Sequence, residues 1–240
     1  MSSKYKIGII GGTGFTNSLI LKRPKSSAVS TPYGKVKVFE EGNIIFLHRH
    51  GEKYFAPHRI NFRANIAALK QKGVKYILAT AACGSLNWGI RPGDLTLLSD
   101  FIDFTKSRIQ TFNPTGQPKY IDMSEPYSEF LRGKIQSAAA KLKIRVHYHS
   151  IYACMEGPRF ETKAEIAAFR MLKCDVVGMT QMPEVVLAVE AGIPYAAVGV
   201  VTNYAAGIAR KKISSEEVVV MMQKKATELA KLLLEVCRQL

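Results

Sequence analysis

The sequence predicts one α/β domain over residues 1–240, with a central mixed, largely parallel sheet flanked by helices. Three observations carry that expectation. Short apolar runs alternate with helical patterns along the chain, and no linker, repeat or low-complexity tract interrupts them. Glycine or polar clusters also recur directly after the strand-like runs, where ligands bind in parallel sheets.

Taken in order, Lys6–Ile10 is a short apolar strand entering Gly11-Gly12-Thr13-Gly14, and the residues before it show no signal-peptide pattern. Val36–Phe39 and Ile44–Leu47 flank a turn at Glu41-Gly42-Asn43 and predict a hairpin. Asn61–Lys72 has helical spacing, with Ile66 and Leu69 inward and Gly73 as its stop. Tyr76–Ala82 is a buried strand ending at Gly84-Ser85, and Pro92-Gly93-Asp94 turns the chain into the strand Leu95–Leu98. Residues 104–126 are polar and contain proline, which predicts a long functional loop. Tyr127–Leu142 is a helix, Val146–Met155 a strand, Thr162–Leu172 a helix and Asp175–Met179 a strand. Pro183–Ala191 is a helix opened by proline, and Tyr195–Val201 a strand closed by Thr202-Asn203. Ser214-Ser215-Glu216-Glu217 fits a capping box for a last helix reaching about Cys237.

Composition bounds the function. At 240 residues, 47% hydrophobic and 22% charged, the chain has the make-up of a globular protein with an ample core. It holds no run of 18 apolar residues, so no membrane partner and a cytoplasmic location are expected. The net charge of +15 points to an anionic partner. The basic residues are dispersed, the densest cluster being Arg210-Lys211-Lys212, which disfavours nucleic acid and suits a small anion such as phosphate equally well. Cys83, Cys154, Cys174 and Cys237 form no C-x-x-C pair, so no zinc site is expected and free thiols are the default, although a thermophilic source could pair some of them.

Each cluster after a strand has a chemical and a bland reading. Gly11–Gly14 lets backbone N–H groups approach an anion, with the Thr13 hydroxyl as a further donor; it is also simply a tight turn. Asn17 stands where a dinucleotide fingerprint needs its third glycine, which disfavours a nicotinamide cofactor. Arg49 offers a planar fork for phosphate and His50 one more donor, unless His48-Arg49-His50-Gly51 is a basic surface loop. In Glu156-Gly157-Pro158-Arg159-Phe160-Glu161, the Phe160 ring can stack on a flat base and the Glu161 carboxylate accepts only, which selects ligands with N–H donors. Alternatively Glu161 serves the first turn of a helix. Asn203 can donate to and accept from adjacent ligand atoms, or act as a turn residue. One composite site explains them all together.

The stretches IGIIGGTGF, RHGEKYFAPHRINFRANIAALK, ACGSLNWGIRPGDL, MEGPRFETKAE and VVGMTQMPEVVLAVEAGIPYA resemble the trimeric purine nucleoside phosphorylases, in particular the methylthioadenosine phosphorylase branch, over nearly the whole chain. The resemblance implies phosphate contacts at Thr13, Arg49, His50, Ala82 and Thr180, and Met179 beneath the ribose. It implies base contacts at Phe160, Glu161 and Asn203, with Ala205 in the same segment. Ser215 and Val218 match the region at the 5′ end of the nucleoside. Tyr120 matches a residue that completes a neighbouring subunit's site, which implies a homotrimer or a dimer of trimers. Phosphate would be a co-substrate, with no cofactor and no metal.

The chain departs from that branch at the base. Glu161 stands where methylthioadenosine enzymes have serine, Ala81 where they have threonine, and Thr202-Asn203-Tyr204-Ala205 where they have Thr-Asp-Tyr-Asp. Glutamate and asparagine there resemble the enzymes acting on inosine and guanosine. A 6-oxopurine presents N1–H and O6, which suit Glu161 and the Asn203 amide. Adenine presents a bare N1 lone pair, which the carboxylate repels. Mismatched buried polar groups cost about 1–3 kcal/mol each. The expected reaction is therefore phosphorolysis of 6-oxopurine nucleosides in purine salvage, with Asn203 and His50 in the catalytic set; methylthioadenosine or methylthioinosine is the alternative substrate. A basic RNA-binding module and a nucleoside binder without catalysis are the readings from other classes.

Overall fold

Every residue of β1 (Lys6–Gly11) after Lys6 is buried, as a strand with neighbours on both sides and layers on both faces requires. The computed structural model describes residues 5–210 and 212–240; Met1–Lys4, before the first strand, and Lys211, of the basic cluster, lie outside them. β2 (Lys25–Thr31), β3 (Gly34–Glu41) and β4 (Ile44–His48) form an antiparallel meander, and β4 then runs parallel to β1. α1 (Phe62–Gln71) is capped by Asn61, whose side chain accepts from the Ala64 N–H. It leads into β5 (Val74–Ser85) and, after a turn, β6 (Leu95–Phe104). The expected long loop follows, up to Ser128, the cap of α2 (Glu129–Leu142).

β7 (Val146–Met155) precedes α3 (Lys163–Met171), which opens on a full capping box between Thr162 and Glu165. β8 (Val176–Gly178), α4 (Glu184–Glu190) and β9 (Tyr195–Tyr204) lead to α5 (Ser215–Gln239), where the Ser214 hydroxyl accepts from the Glu217 N–H.

The strand order is β2-β3-β4-β1-β5-β8-β7-β6-β9, and β9 pairs back onto β5. Five strands thus close a ring, with β1 to β4 continuing the sheet from β5. The sheet is mixed as expected: β1–β4, β1–β5, β5–β9, β6–β7 and β7–β8 are parallel, the other pairs antiparallel. Side-chain alternation splits the core. Ile10, Leu47 and Ala79 pack with α1 and α4, whereas Ile9, Phe46 and Leu78 pack with α2 and α5.

β2 was not expected. Its sequence Lys25-Ser-Ser-Ala-Val-Ser-Thr31 buries only Val29, so it carries no clear apolar alternation. β6 continues past Leu98 through the polar Ser99 and Asp100, because β7 supplies it with a ladder to Phe104. All four cysteines are buried as free thiols. Among the described residues no helix is long and apolar enough to cross a membrane.

Candidate active site

The ends of β1, β4, β5, β8 and β9 converge on a cavity of about 130 Å³. Gly12, Thr13, Arg49, His50, Ala82, Met179, Thr180, Phe160, Glu161, Asn203, Ala205 and Val218 all line it. The cavity exists because two ladders lose step there. The β5–β9 register shifts between Cys83 and Gly84, and the β7–β8 ladder stops at Cys154 and Gly178.

One side is built around Arg49, which is almost wholly buried. Its Nε and Nη2 donate to the two Glu184 carboxylate oxygens at 2.7 and 2.6 Å, and its Nη1 to the Thr80 carbonyl at 2.6 Å. Burial opposes the charge, but Glu184 overrides it and holds the guanidinium pKa above its ordinary value. Three of the five guanidinium N–H groups are thereby committed, and two remain for a ligand. Tyr195 steadies Glu184 with a 2.8 Å hydrogen bond from its hydroxyl. The Gly12 N–H donates to Thr80 Oγ1 at 3.0 Å, and a Cβ on Gly12 would lie 2.7 Å from Arg49 Nη1. Glycine is required there because the loop rests on the guanidinium.

His50 Nδ1 lies 2.8 Å from the Phe55 carbonyl, which can only accept, so Nδ1 carries the proton. Burial, aided by Arg49, lowers the His50 pKa. The neutral ring therefore offers Nε2 as an acceptor, where the sequence reading had His50 as one more donor. The Tyr54 ring stacks on His50 with centroids 4.7 Å apart, and its hydroxyl is 2.6 Å from Thr13 Oγ1.

The other side is polar and incompletely paired. Glu161 is buried just before the Thr162 cap, so it lies outside helix α3, and its Oε1 has no hydrogen-bond partner. Burial, and then repulsion from Glu165, raise its pKa above the ordinary carboxyl value, against the pull of a backbone hydrogen bond and Arg159. The Asn203 Oδ1 accepts from Thr202 Oγ1 at 2.7 Å and its Nδ2 donates to the Tyr204 carbonyl at 2.9 Å, leaving one N–H and one lone pair. Half-exposed Phe160 flanks the entrance, and Met179 lies against Gly157, where a Cβ would fall 2.7 Å from its sulfur.

Two of the named residues do not line this cavity, of which only Ser215 was expected to. Ser215 does not line the cavity: its hydroxyl donates to Glu216 at 3.0 Å, and Val218, one turn later, faces the cavity instead. Tyr120 is 91% exposed on the loop after β6, outside this cavity. Glu184, Tyr195 and Thr80 were missed. Glu184 carried a signal, a carboxylate inside an otherwise apolar helix, but in the first turn that pattern matches ordinary dipole pairing. No cluster of three or more metal-ligating side chains occurs among the described residues.

Residues 6–238 match the phosphorylase superfamily. The chain is 46% identical to a probable 6-oxopurine nucleoside phosphorylase of Thermococcus kodakarensis, with 96% of this chain and 91% of that protein covered. It is 44% identical to the S-methyl-5′-thioadenosine phosphorylase of Hyperthermus butylicus, with 97% and 87% covered. Among solved structures it superposes on methylthioadenosine phosphorylase from Schistosoma mansoni in complex with adenine, with a TM-score of 0.94 at 32% identity, covering 98% of this chain and 92% of that one.

Proposed function

The chain belongs to the phosphorylase superfamily, and from that premise we propose that it cleaves 6-oxopurine nucleosides with inorganic phosphate, releasing the base and ribose 1-phosphate. The observation that carries the base preference is the buried, unpaired Glu161 Oε1, an acceptor on a residue that lines the cavity together with Asn203. A purine N1–H satisfies it; a bare adenine N1 leaves it facing a lone pair.

In this reading phosphate takes the two free Arg49 N–H groups and the Thr13 and Thr180 hydroxyls, beside Ala82. Hydrogen phosphate donates its own O–H to His50 Nε2. One phosphate oxygen then attacks C1′ as the glycosidic bond breaks through an oxocarbenium-like state above Met179. The bond electrons pass into the purine ring. The Asn203 N–H stabilises the charge growing on O6. The departing base takes up a proton at N7 from solvent, balanced by the proton that hydrogen phosphate gives up to solvent on becoming the phosphate ester. The Asn203 carbonyl accepts from the resulting N7–H. The reaction calls on no cofactor and no metal.

A second reading has its own support. With Ser215 turned away, apolar Val218 is what α5 presents to the cavity, which favours a 5′-methylthio group over a 5′-hydroxyl. 5′-Methylthioinosine combines that end with a 6-oxopurine. Base release from inosine, guanosine, adenosine and their 5′-methylthio analogues, with and without phosphate, separates these readings. Undiminished release without phosphate makes the chain a hydrolase, and adenosine or methylthioadenosine as the best substrate overturns the assignment of Glu161.

A further inference from the structure

The β7–β8 ladder ends at Cys154 and Gly178, and beyond that pair the chains part to open the cavity. Beyond it β7 and β8 no longer pair, and Arg108, from the loop after β6, bridges carbonyls that follow each strand's last paired residue. Its Nη2 donates to the Met155 and Glu156 carbonyls at 3.1 and 2.6 Å. Its Nη1 donates to Met179 at 2.8 Å and also to the Met182 carbonyl. The side chain is 3% exposed, with the guanidinium carbon 5.5 Å from the centroid of the Phe62 ring. Glu156 ties the loop back in turn, its carboxylate accepting from the Lys106 N–H and the Ser107 hydroxyl.

These four carbonyls belong to two walls of one site. Met155 and Glu156 lead into Phe160 and Glu161. Met179 and Met182 bracket Thr180 and lead into Glu184, the partner of Arg49. We infer that Arg108 is a positioning residue that sets the span between the base wall and the phosphate side without touching either ligand. This rests on the phosphorolysis reading above. A base alone needs one wall and phosphate alone needs the other. Only the transition state, which bonds to both, requires the correct distance between them, and a shift of about 1 Å remote from the chemistry can cost on the order of a hundred-fold in rate.

The test compares wild type with Arg108→Lys, which keeps the charge but not the planar fork, and Arg108→Met, which keeps the bulk alone. Binding of hypoxanthine alone and of inorganic phosphate alone is measured by calorimetry, and kcat on inosine by base release. The expected result is kcat reduced roughly ten-fold in the lysine variant and roughly a hundred-fold in the methionine variant, with both binary affinities within about three-fold of wild type. Arg108→Lys serves by itself where Arg108→Met does not fold. If kcat stays within about two-fold of wild type, or the binary affinities fall in step with kcat, Arg108 is structural packing and the inference is overturned. A wild type that releases no base in phosphate from inosine, 5′-methylthioinosine or 5′-methylthioadenosine defeats the phosphorolysis reading instead, and the inference with it.

Discussion

Glu161→Gln keeps the size and shape of the side chain and exchanges one buried acceptor for a donor. On the proposed assignment, hydrogen bonds from purine N–H groups to the wild-type carboxylate are worth roughly 1.5–3 kcal/mol each. With inosine, glutamine can turn its carbonyl to N1–H and keep a neutral bond of about 0.5–1.5 kcal/mol, so kcat/KM should fall roughly ten-fold. With guanosine the amide NH₂ then meets the exocyclic amine, donor against donor. Leaving those groups unpaired costs about 1–3 kcal/mol more, so the loss should reach roughly a hundred-fold or beyond. Adenosine should gain, because the new NH₂ can donate to its bare N1. The assay is kcat/KM for all three nucleosides on both proteins. The ordering is the diagnostic: a uniform change across the three bases, or no change, would mean that Glu161 does not meet the edge of the purine.

The same carboxyl makes a second prediction, through stability. Its pKa is raised in the folded chain above the ordinary 4.5 by burial and Glu165, so folding favours its protonated form. Its contribution is therefore complete below pH 4.5 and is lost as pH rises through the folded pKa. Glu161→Gln lacks that loss, so its Tm should gain on wild type from acid to neutral pH; parallel Tm–pH curves would refute the burial argument. Glu184→Gln strips the buried Arg49 of its counter-charge, which costs about 3–5 kcal/mol. That corresponds to a Tm lowered by roughly 6–20 °C for a chain of this size, with a raised phosphate KM; a Tm within about 2 °C of wild type in calorimetry would contradict it. Tyr120, exposed here, should contribute to a neighbouring subunit's site. Light scattering should therefore find a trimer or a multiple of it, and Tyr120→Ala should lower turnover while leaving Tm unchanged; a fully active monomer rules this out.

The sequence carried the parts of the site that sit on punctuated strand ends. Thr13, Arg49, Glu161, Thr180 and Asn203 stand out because glycines, prolines and charges there interrupt apolar runs. What supports them was hidden. Tyr195 reads as the first apolar residue of a strand, and Thr80 as a β-branched residue within one. Arg108 is one cation among many in a polar loop, and only the fold reveals the four carbonyls it meets. Ser215 shows the opposite case: three residues before Val218 it has the right spacing to share a helix face, but as the first residue of α5 its hydroxyl turns to the neighbouring Glu216, which spacing alone does not reveal. The β5–β9 closure was illegible because it joins distant strands, and nothing local to either one marks the partner.

That closure orders events during synthesis. Ile77 pairs with Tyr195, and Gly84 with Asn203. A ribosome working at roughly 5–20 residues per second leaves this edge of β5 waiting on the order of ten seconds for β9 to emerge. Throughout that interval an apolar strand shows unsatisfied backbone groups along a flank that any other extended segment could seize. Asn203 arrives only with the last strand, so the nascent chain gains the β9 wall of the cavity at the moment it loses that hazard. Fragments ending before β9 should accordingly lack that wall of the cavity and aggregate through the open edge of β5.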